Sequence, residues 1–301
     1  MTTSTARRRS VLVGLIGEGI APSLTPALHE LEGARHGLNY VYRTIEISAR
    51  EAAPADVAAL LGSARRMGFD GLNITHPAKQ TVLGALDALS PGAAAVGAVN
   101  TVVFDGDRTV GHNTDVTGFG AAMDEELAGC AREHVVLLGA GGAGAAVAGA
   151  LIDRGVSDLV IVDVDHGRAR ALAESCGARA AEQADLPALL AEADGLVNAT
   201  PMGMEAHPGA AVDAALLRPA MFVADVVYRP VETALLAGAR TRGCRVMAGT
   251  GMAMHQAADA FEIFTGEAAD RRAMLADLED LIAAEAAGSP ATRGHRKGEA
   301  E

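Results

Sequence analysis

Short apolar runs recur along this chain, and stretches with helical spacing separate them. Val11 to Ile16 is almost wholly apolar, which predicts a strand buried on both faces. Tyr40 to Ile47 alternates and predicts a second strand; Phe69 to Ile74 predicts a third. Ser23-Leu24-Thr25-Pro26 opens a helix carrying Leu28, His29 and Leu31. Asp56 to Met67 places Val57, Leu60, Leu61 and Ala64 on one helical face. A further helix is expected over Thr81 to Leu89, and Val96 to Asn100 then leads into the next strand. Thr101 to Phe104 and Thr109 to His112 form a hairpin about Asp105-Gly106-Asp107. Asn113-Thr114-Asp115 opens a helix that runs to Leu127. Later strands are expected at Val135 to Leu138, Leu159 to Val162, Gly195 to Asn198, Phe222 to Val226 and Arg245 to Met247. From Met252 the chain turns helical, and Met274, Leu278, Leu281 and Ile282 mark a last amphipathic helix.

This alternation predicts an α/β protein of two domains. The first would combine residues 10–118 with 252–286, as an α/β substrate domain. The second, residues 119–251, would be a Rossmann-type, doubly wound dinucleotide domain. Residues 1–9 and 287–301 are polar and charged and are expected to be disordered tails. A chain of 301 residues can bury the cores of two such domains.

Composition narrows the functions. Aromatic residues make up 3% and Trp is absent, so stacking platforms for bases are not expected. A net charge of −13 argues against nucleic acid and anionic membranes as partners. No apolar run is long enough to span a bilayer. Arg7-Arg8-Arg9 precedes an apolar run, but Glu18 soon interrupts it, which does not fit an export signal. Cys130, Cys176 and Cys244 are isolated, as expected of reduced thiols in the cytoplasm. The nine histidines form no metal-ligand spacing, so no metal is expected.

The segment VVLLGAGGAGAAVAGALIDRGVSDLVIVDVD carries the most specific signal. A buried strand ends in Gly139, Ala140, Gly141, Gly142, Ala143 and Gly144, which satisfies G-x-G-x-x-G. A helix follows from Ala145 to Arg154, then a strand with Asp163 at its tip. In such a unit the glycines make the turn, admit a pyrophosphate and let helix and strand pack closely. The pyrophosphate meets free N–H groups at the helix start, and the acid grips a ribose diol. Glycines that merely turn the chain are the alternative.

Three further segments place polar side chains beside strand ends: Ser23 and Thr25; Asn73-Ile74-Thr75-x-Pro77-x-Lys79; and Asn100-Thr101 with Asn113-Thr114-Asp115. Together they offer hydroxyls, amides, one amine and one carboxylate. That set suits a polyhydroxylated acid, with an amine–carboxylate pair for proton transfer. Singly, each has a structural alternative: Asn-Thr-Asp also caps a helix, Ser-x-Thr-Pro also starts one, and a lysine is usually solvated.

These segments, with GLIGEGIAPSLTPALHE, GLNITHPAKQ, GAVNTVV, GHNTD, GAGGAG, NATPMGM and MAMHQAADAFEIFTG, resemble the shikimate dehydrogenase family over about residues 11–285. The resemblance is strongest to the NAD-dependent quinate/shikimate dehydrogenases. It implies Lys79 and Asp115 as the catalytic pair. Ser23, Thr25, Asn73, Thr75, Asn100, Tyr228 and Gln256 would bind substrate. The glycine turn, Asp163, Arg168, Asn198, Thr200, Val226 and Gly249 would bind NAD. Two departures from most of the family point to the quinate/shikimate branch. Thr25 stands where Ser is usual, and Asp163-Val164-Asp165 stands where a basic patch is frequent.

The expected activity is reversible oxidation of quinate and shikimate to their 3-dehydro ketones, by a monomer or homodimer with small-molecule substrates. Rival readings are a biosynthetic shikimate dehydrogenase, an aminoshikimate-type dehydrogenase and a non-catalytic metabolite sensor. His76 and His112 neighbour the motifs and are weaker candidates for substrate contact. Met202, Met204, Met252 and Met254 read as packing, with Met252 also a candidate to lie against a nicotinamide.

Overall fold

The computed structural model describes residues 8–287. The apolar run at the start becomes strand β1 (Ser10–Gly17), which lies beside β2 (Asn39–Glu46) and β3 (Gly71–Ile74), all parallel. Helices α1 (Thr25–Arg35) and α2 (Pro54–Arg66) make the crossovers. Pro sits in the first turn of each, where its missing N–H costs nothing. Strands β5 (Thr101–Asp105) and β6 (Arg108–His112) add an antiparallel hairpin beside β3. Strand β4 (Ala88–Leu89) closes the far edge, giving the order β2-β1-β3-β5-β6-β4.

The expected helix over Thr81 to Leu89 is not formed. A 3-10 turn covers Thr81–Ala85, and the chain then joins the sheet as β4. Asp87 explains the change, because its Oδ2 accepts from the amide and the hydroxyl of Thr109 and draws the segment onto β6. Ser90-Pro91 then starts α3 (Pro91–Val96), a helix absent from the expectation. Ser90 caps it by accepting from the Ala93 amide.

The second sheet is wholly parallel. It holds β7 (His134–Leu138), β8 (Asp158–Val162), β9 (Arg179–Ala181), β10 (Gly195–Asn198), β11 (Phe222–Asp225) and β12 (Arg245–Met247). Their order is β12-β11-β10-β7-β8-β9. The order reverses between β7 and β10, so the crevice for a ligand opens at their carboxyl ends. Helices α5 (Gly142–Asp153), α6 (His166–Cys176), α7 (Leu186–Glu192) and α8 (Ala234–Thr241) make the connections. Ala146, Val147 and Ala150 of α5 pack with Leu137 and Ile161 in one core layer. Val136, Val160 and Leu196 face the other layer, with Leu190 and Leu236. Strands buried on both faces account for the unbroken apolar runs in the sequence.

Helices α4 (Thr114–Glu126) and α9 (Gly249–Thr265) join the two sheets and pack against each other. Helix α10 (Arg271–Ala286) packs on α9 and α1. The expected domain limits at 118/119 and 251/252 fall inside α4 and α9, so each boundary lies within a continuous helix. Helix α9 also starts at Gly249 rather than Met252. The two helices approach closely at Gly118, where a Cβ would lie 2.7 Å from the Gln256 amide nitrogen.

Of the expected tails, residues 1–7 and 288–301 lie outside the described residues. Arg9 is tied into the fold: its Nη1 donates to the Thr265 carbonyl at the end of α9. Cys130, Cys176 and Cys244 carry free thiols, Cys244 being buried. Among the described residues no helix is long and apolar enough to cross a membrane, and no cluster of metal-ligating side chains occurs.

Two glycines of the turn, Gly139 and Gly144, are sterically closed to larger residues. Gly139 has φ +99°, and a Cβ on Gly144 would lie 2.0 Å from the Gly139 carbonyl oxygen. Gly144→Ala should therefore lower stability by about 1–3 kcal/mol, the usual cost of overpacking. A denaturation midpoint equal to the parent's would contradict this packing.

Candidate active site

Lys79 lies in the turn that follows β3. The Thr75 amide donates to the Ile16 carbonyl, and the Lys79 carbonyl accepts from the Val99 amide. The backbone on both sides is thus held before the side chain reaches out. Asp115 lies in the first turn of α4, whose N-cap is Asn113. The Asn113 side chain accepts from the amides of Asp115 and Val116. Asn-Thr-Asp is therefore a helix cap that also places Asp115 in the cleft. Lys79 Nζ stands 2.7 Å from Asp115 Oδ2, with side-chain exposures of 18% and 12%. A charged pair so shielded interacts more strongly than one in open water.

The pair sits in a cleft of about 350 Å³ between the two sheets. Ser23, Thr25 and Thr75 reach it from the first sheet's loops, and Asn73 and Asn100 from the strand ends. Tyr228 and Gln256 reach it from the segment after β11 and from α9. On the far wall, Ala143 belongs to the glycine turn, and Val226, Gly249 and Met252 also line the cleft. A Cβ on Gly142 would lie 3.5 Å from Lys79 Cδ, so the start of α5 faces the lysine directly.

The start of α5 has the features of an anion cradle. No side chain caps it, and a Cβ on Gly141 would meet nothing within 4 Å. The N–H groups of its first turn and the positive helix end are thus available to a pyrophosphate. Asp163, at the tip of β8, accepts through Oδ2 from the Ala140 amide and through Oδ1 from the Asp165 amide. Its carboxylate is fixed beside the turn, where a ribose would follow the pyrophosphate. The donors present fit a dinucleotide.

Three family models match the chain in order. The shikimate dehydrogenase substrate-binding domain covers residues 15–102, shikimate/quinate 5-dehydrogenase covers 122–234, and the shikimate 5'-dehydrogenase C-terminal domain covers 249–279. A shikimate dehydrogenase (NADP(+)) from Streptomyces avermitilis is 54% identical over 279 residues, 90% of this chain and 96% of that protein. The chain belongs to the shikimate dehydrogenase family. A quinate/shikimate dehydrogenase (NAD(+)) from Corynebacterium efficiens is 50% identical over 280 residues, 90% of this chain and 99% of that protein. Among solved structures, quinate dehydrogenase from Corynebacterium glutamicum in complex with NAD superposes with a TM-score of 0.86 at 47% identity. That match covers 91% of this chain and all of the other, 100%.

Within this shikimate dehydrogenase fold, several residues expected to bind ligands have other duties. Asn73 is buried, and its Nδ2 donates to the Asn100 carbonyl and to Thr101 Oγ1. Its Oδ1 accepts from the Tyr42 hydroxyl. Both amide hydrogens are committed, so Asn73 lines the cleft as scaffold. Thr101 passes its own hydrogen to Asn100 Oδ1, which also accepts from the Thr114 amide. Asn100 Nδ2 donates once, to Thr114 Oγ1, and keeps one hydrogen for the cleft.

On the cofactor side, Asn198 is fully buried and all four of its side-chain bonds are internal. Nδ2 donates to Met202 O and Asp225 Oδ1, and Oδ1 accepts from the amide and hydroxyl of Thr200. Its side chain therefore has no bond left for a cofactor. Arg168 pairs with Asp165 rather than approaching Asp163, and its side chain is 64% exposed. His76 is exposed and His112 half-buried, with burial holding His112 below the ordinary histidine pKa; neither lines the cleft.

Tyr42 and Asp225 were not anticipated from the sequence as site residues, whereas Thr101 and Thr114 stood in the polar segments singled out there without a role of their own. A lone acid inside the apolar run Phe222–Val227 is the one signal that could have found Asp225. Tyr42 sits in an ordinary alternating strand and carries none.

Because the Tyr42 hydroxyl is the donor to Asn73 Oδ1, Tyr42→Phe should strand a buried acceptor and cost about 1–3 kcal/mol in stability. A loss below a few tenths of a kcal/mol on denaturant unfolding would show that Asn73 is held without it.

Proposed function

We propose that this chain oxidises quinate and shikimate reversibly to their 3-dehydro ketones, with NAD as coenzyme. The reading rests on one observation: the Lys79–Asp115 pair stands in the cleft at the uncapped start of α5. NAD supplies the hydride acceptor at that position. In the oxidative direction Lys79 acts as the neutral amine: it takes the ring hydroxyl's proton as the ring carbon gives up hydride and becomes the ammonium paired with Asp115; in ketone reduction that ammonium gives the proton back. Asp115 orients the amine through Oδ2. Its Oδ1 has no protein partner among the described residues and is available to the substrate hydroxyl.

The rest of the first lobe suits a hydroxylated acid. Ser23 and Thr25 present hydroxyls for the carboxylate, with Tyr228 across the cleft. Asn100, Thr75 and Gln256 serve the ring hydroxyls. Thr25 carries one methyl more than serine, which restricts its χ1 and reshapes the pocket where quinate and shikimate differ.

Asp163 supports NAD over NADP. A 2′-phosphate beside it would meet a fixed carboxylate. Each pair of unit charges about 5 Å apart repels by roughly 3 kcal/mol at an effective dielectric near 20, before screening. Arg168 is engaged by Asp165 and offers little compensation. The relatives differ in coenzyme, so this carboxylate carries the choice for this chain. Three free cysteines fit a reducing compartment, and we place the protein in the cytoplasm on that ground.

Steady-state rates with quinate and shikimate, each against NAD and NADP, test the reading. Both acids should be oxidised, with kcat/KM for NAD at least about tenfold above that for NADP, equivalent to 1.4 kcal/mol. Asp163→Ala should narrow that ratio. Turnover of shikimate with NADP alone, and none of quinate, would replace the proposal with the biosynthetic activity.

A further inference from the structure

Asp225 ends β11 and is fully buried, with no cation paired to it among the described residues. An unpaired carboxylate in that position is costly unless hydrogen bonds compensate it. Three donors do so, each from a different segment. Asn198 Nδ2 donates to Oδ1 at 2.9 Å, the Val227 amide donates to Oδ1 at 3.0 Å, and the Thr233 hydroxyl donates to Oδ2 at 2.7 Å. Asn198 and Thr233 are also fully buried. An ionised carboxylate accepts on both oxygens and donates nothing, so it alone among side chains of this size can gather three donors at once.

The consequences reach the cleft by two routes. Through Asn198, the carboxylate fixes the loop after β10: Thr200 bonds back to Asn198 Oδ1, and the Met202 carbonyl accepts from Nδ2. Through Val227 and Thr233, it fixes the segment that follows β11. Val226 and Tyr228 of that segment line the cleft, and its Val226 carbonyl packs against Gly249, where a Cβ would lie 2.5 Å away. Thr233 also caps α8 by accepting from the Leu236 amide.

We propose that Asp225 is a positioning residue for the coenzyme, joining the loops after β10 and β11 into one wall through Asn198, Val227 and Thr233. The inference rests on the reading that the cleft takes NAD. Asp225 itself does not touch the ligand; it holds the backbone of residues that do.

The test removes the Thr233 hydroxyl in the full-length enzyme and then restores it. Thr233→Val, which replaces the hydroxyl by a methyl and so removes both its bond to Asp225 and its cap on α8, should raise the Kd for NAD about tenfold by calorimetric titration, equivalent to 1.4 kcal/mol. Thr233→Ser should restore it to within about threefold. Amide exchange should quicken over residues 199–203 and 226–233 in the valine variant and not in the serine one. A valine variant with a lower unfolding midpoint but the parent's Kd would overturn the proposal, leaving the cluster a role in stability only. Equal weakening in the serine variant would overturn it too. A parent that does not bind NAD refutes the coenzyme assignment instead. The exchange comparison then still decides whether the carboxylate joins the two loops, and unchanged exchange in the valine variant would overturn that.

Discussion

The ion pair between Lys79 and Asp115 is the interaction on which the site depends. Each group is mostly withdrawn from water, and each comes from a different part of the first sheet's connections. A lysine with four flexible methylenes has no fixed direction by itself. The carboxylate supplies that direction, and the Asn113 cap fixes the carboxylate by setting the first turn of α4. Asn100 reinforces the same turn by accepting from the Thr114 amide. The carboxylate of the pair thus sits on a helix start, held by two asparagines, rather than on a free loop.

Placement of the pair against the second lobe follows from α4 and α9. They cross with almost no side-chain gap at Gly118, and they carry Asp115 and Gln256 respectively. Both helices run between the sheets, so the cleft is bounded by rigid elements on either side. Lys79 reaches to the bare start of α5, where an anion is favoured.

Much of this was legible in the sequence, because strands buried on both faces write themselves as apolar runs. The glycine turn was legible for a steric reason: Gly144 leaves no room for a side chain. The misread segment at 81–96 shows what local pattern omits. Asp87 bonds to Thr109, a partner in another strand, and that long-range pair overrides helix propensity. The site's chemical groups were also readable as residues, but not how their hydrogen bonds are spent. Asn73 and Asn100 look alike in sequence, yet the Tyr42 and Thr101 hydroxyls commit one amide wholly and leave the other a free hydrogen. Asn198 differs from expectation for the same reason: its four side-chain bonds are spent within the protein.

The most direct measurement is single-turnover and steady-state oxidation of the acid substrate by Lys79→Ala, beside NAD titration of the same variant. A positioned acid–base group contributes about 10²- to 10⁴-fold in rate. The account predicts a kcat at least about 10²-fold below the parent's, with NAD affinity near the parent's. A variant that keeps most of its kcat would remove Lys79 from proton transfer and contradict the account.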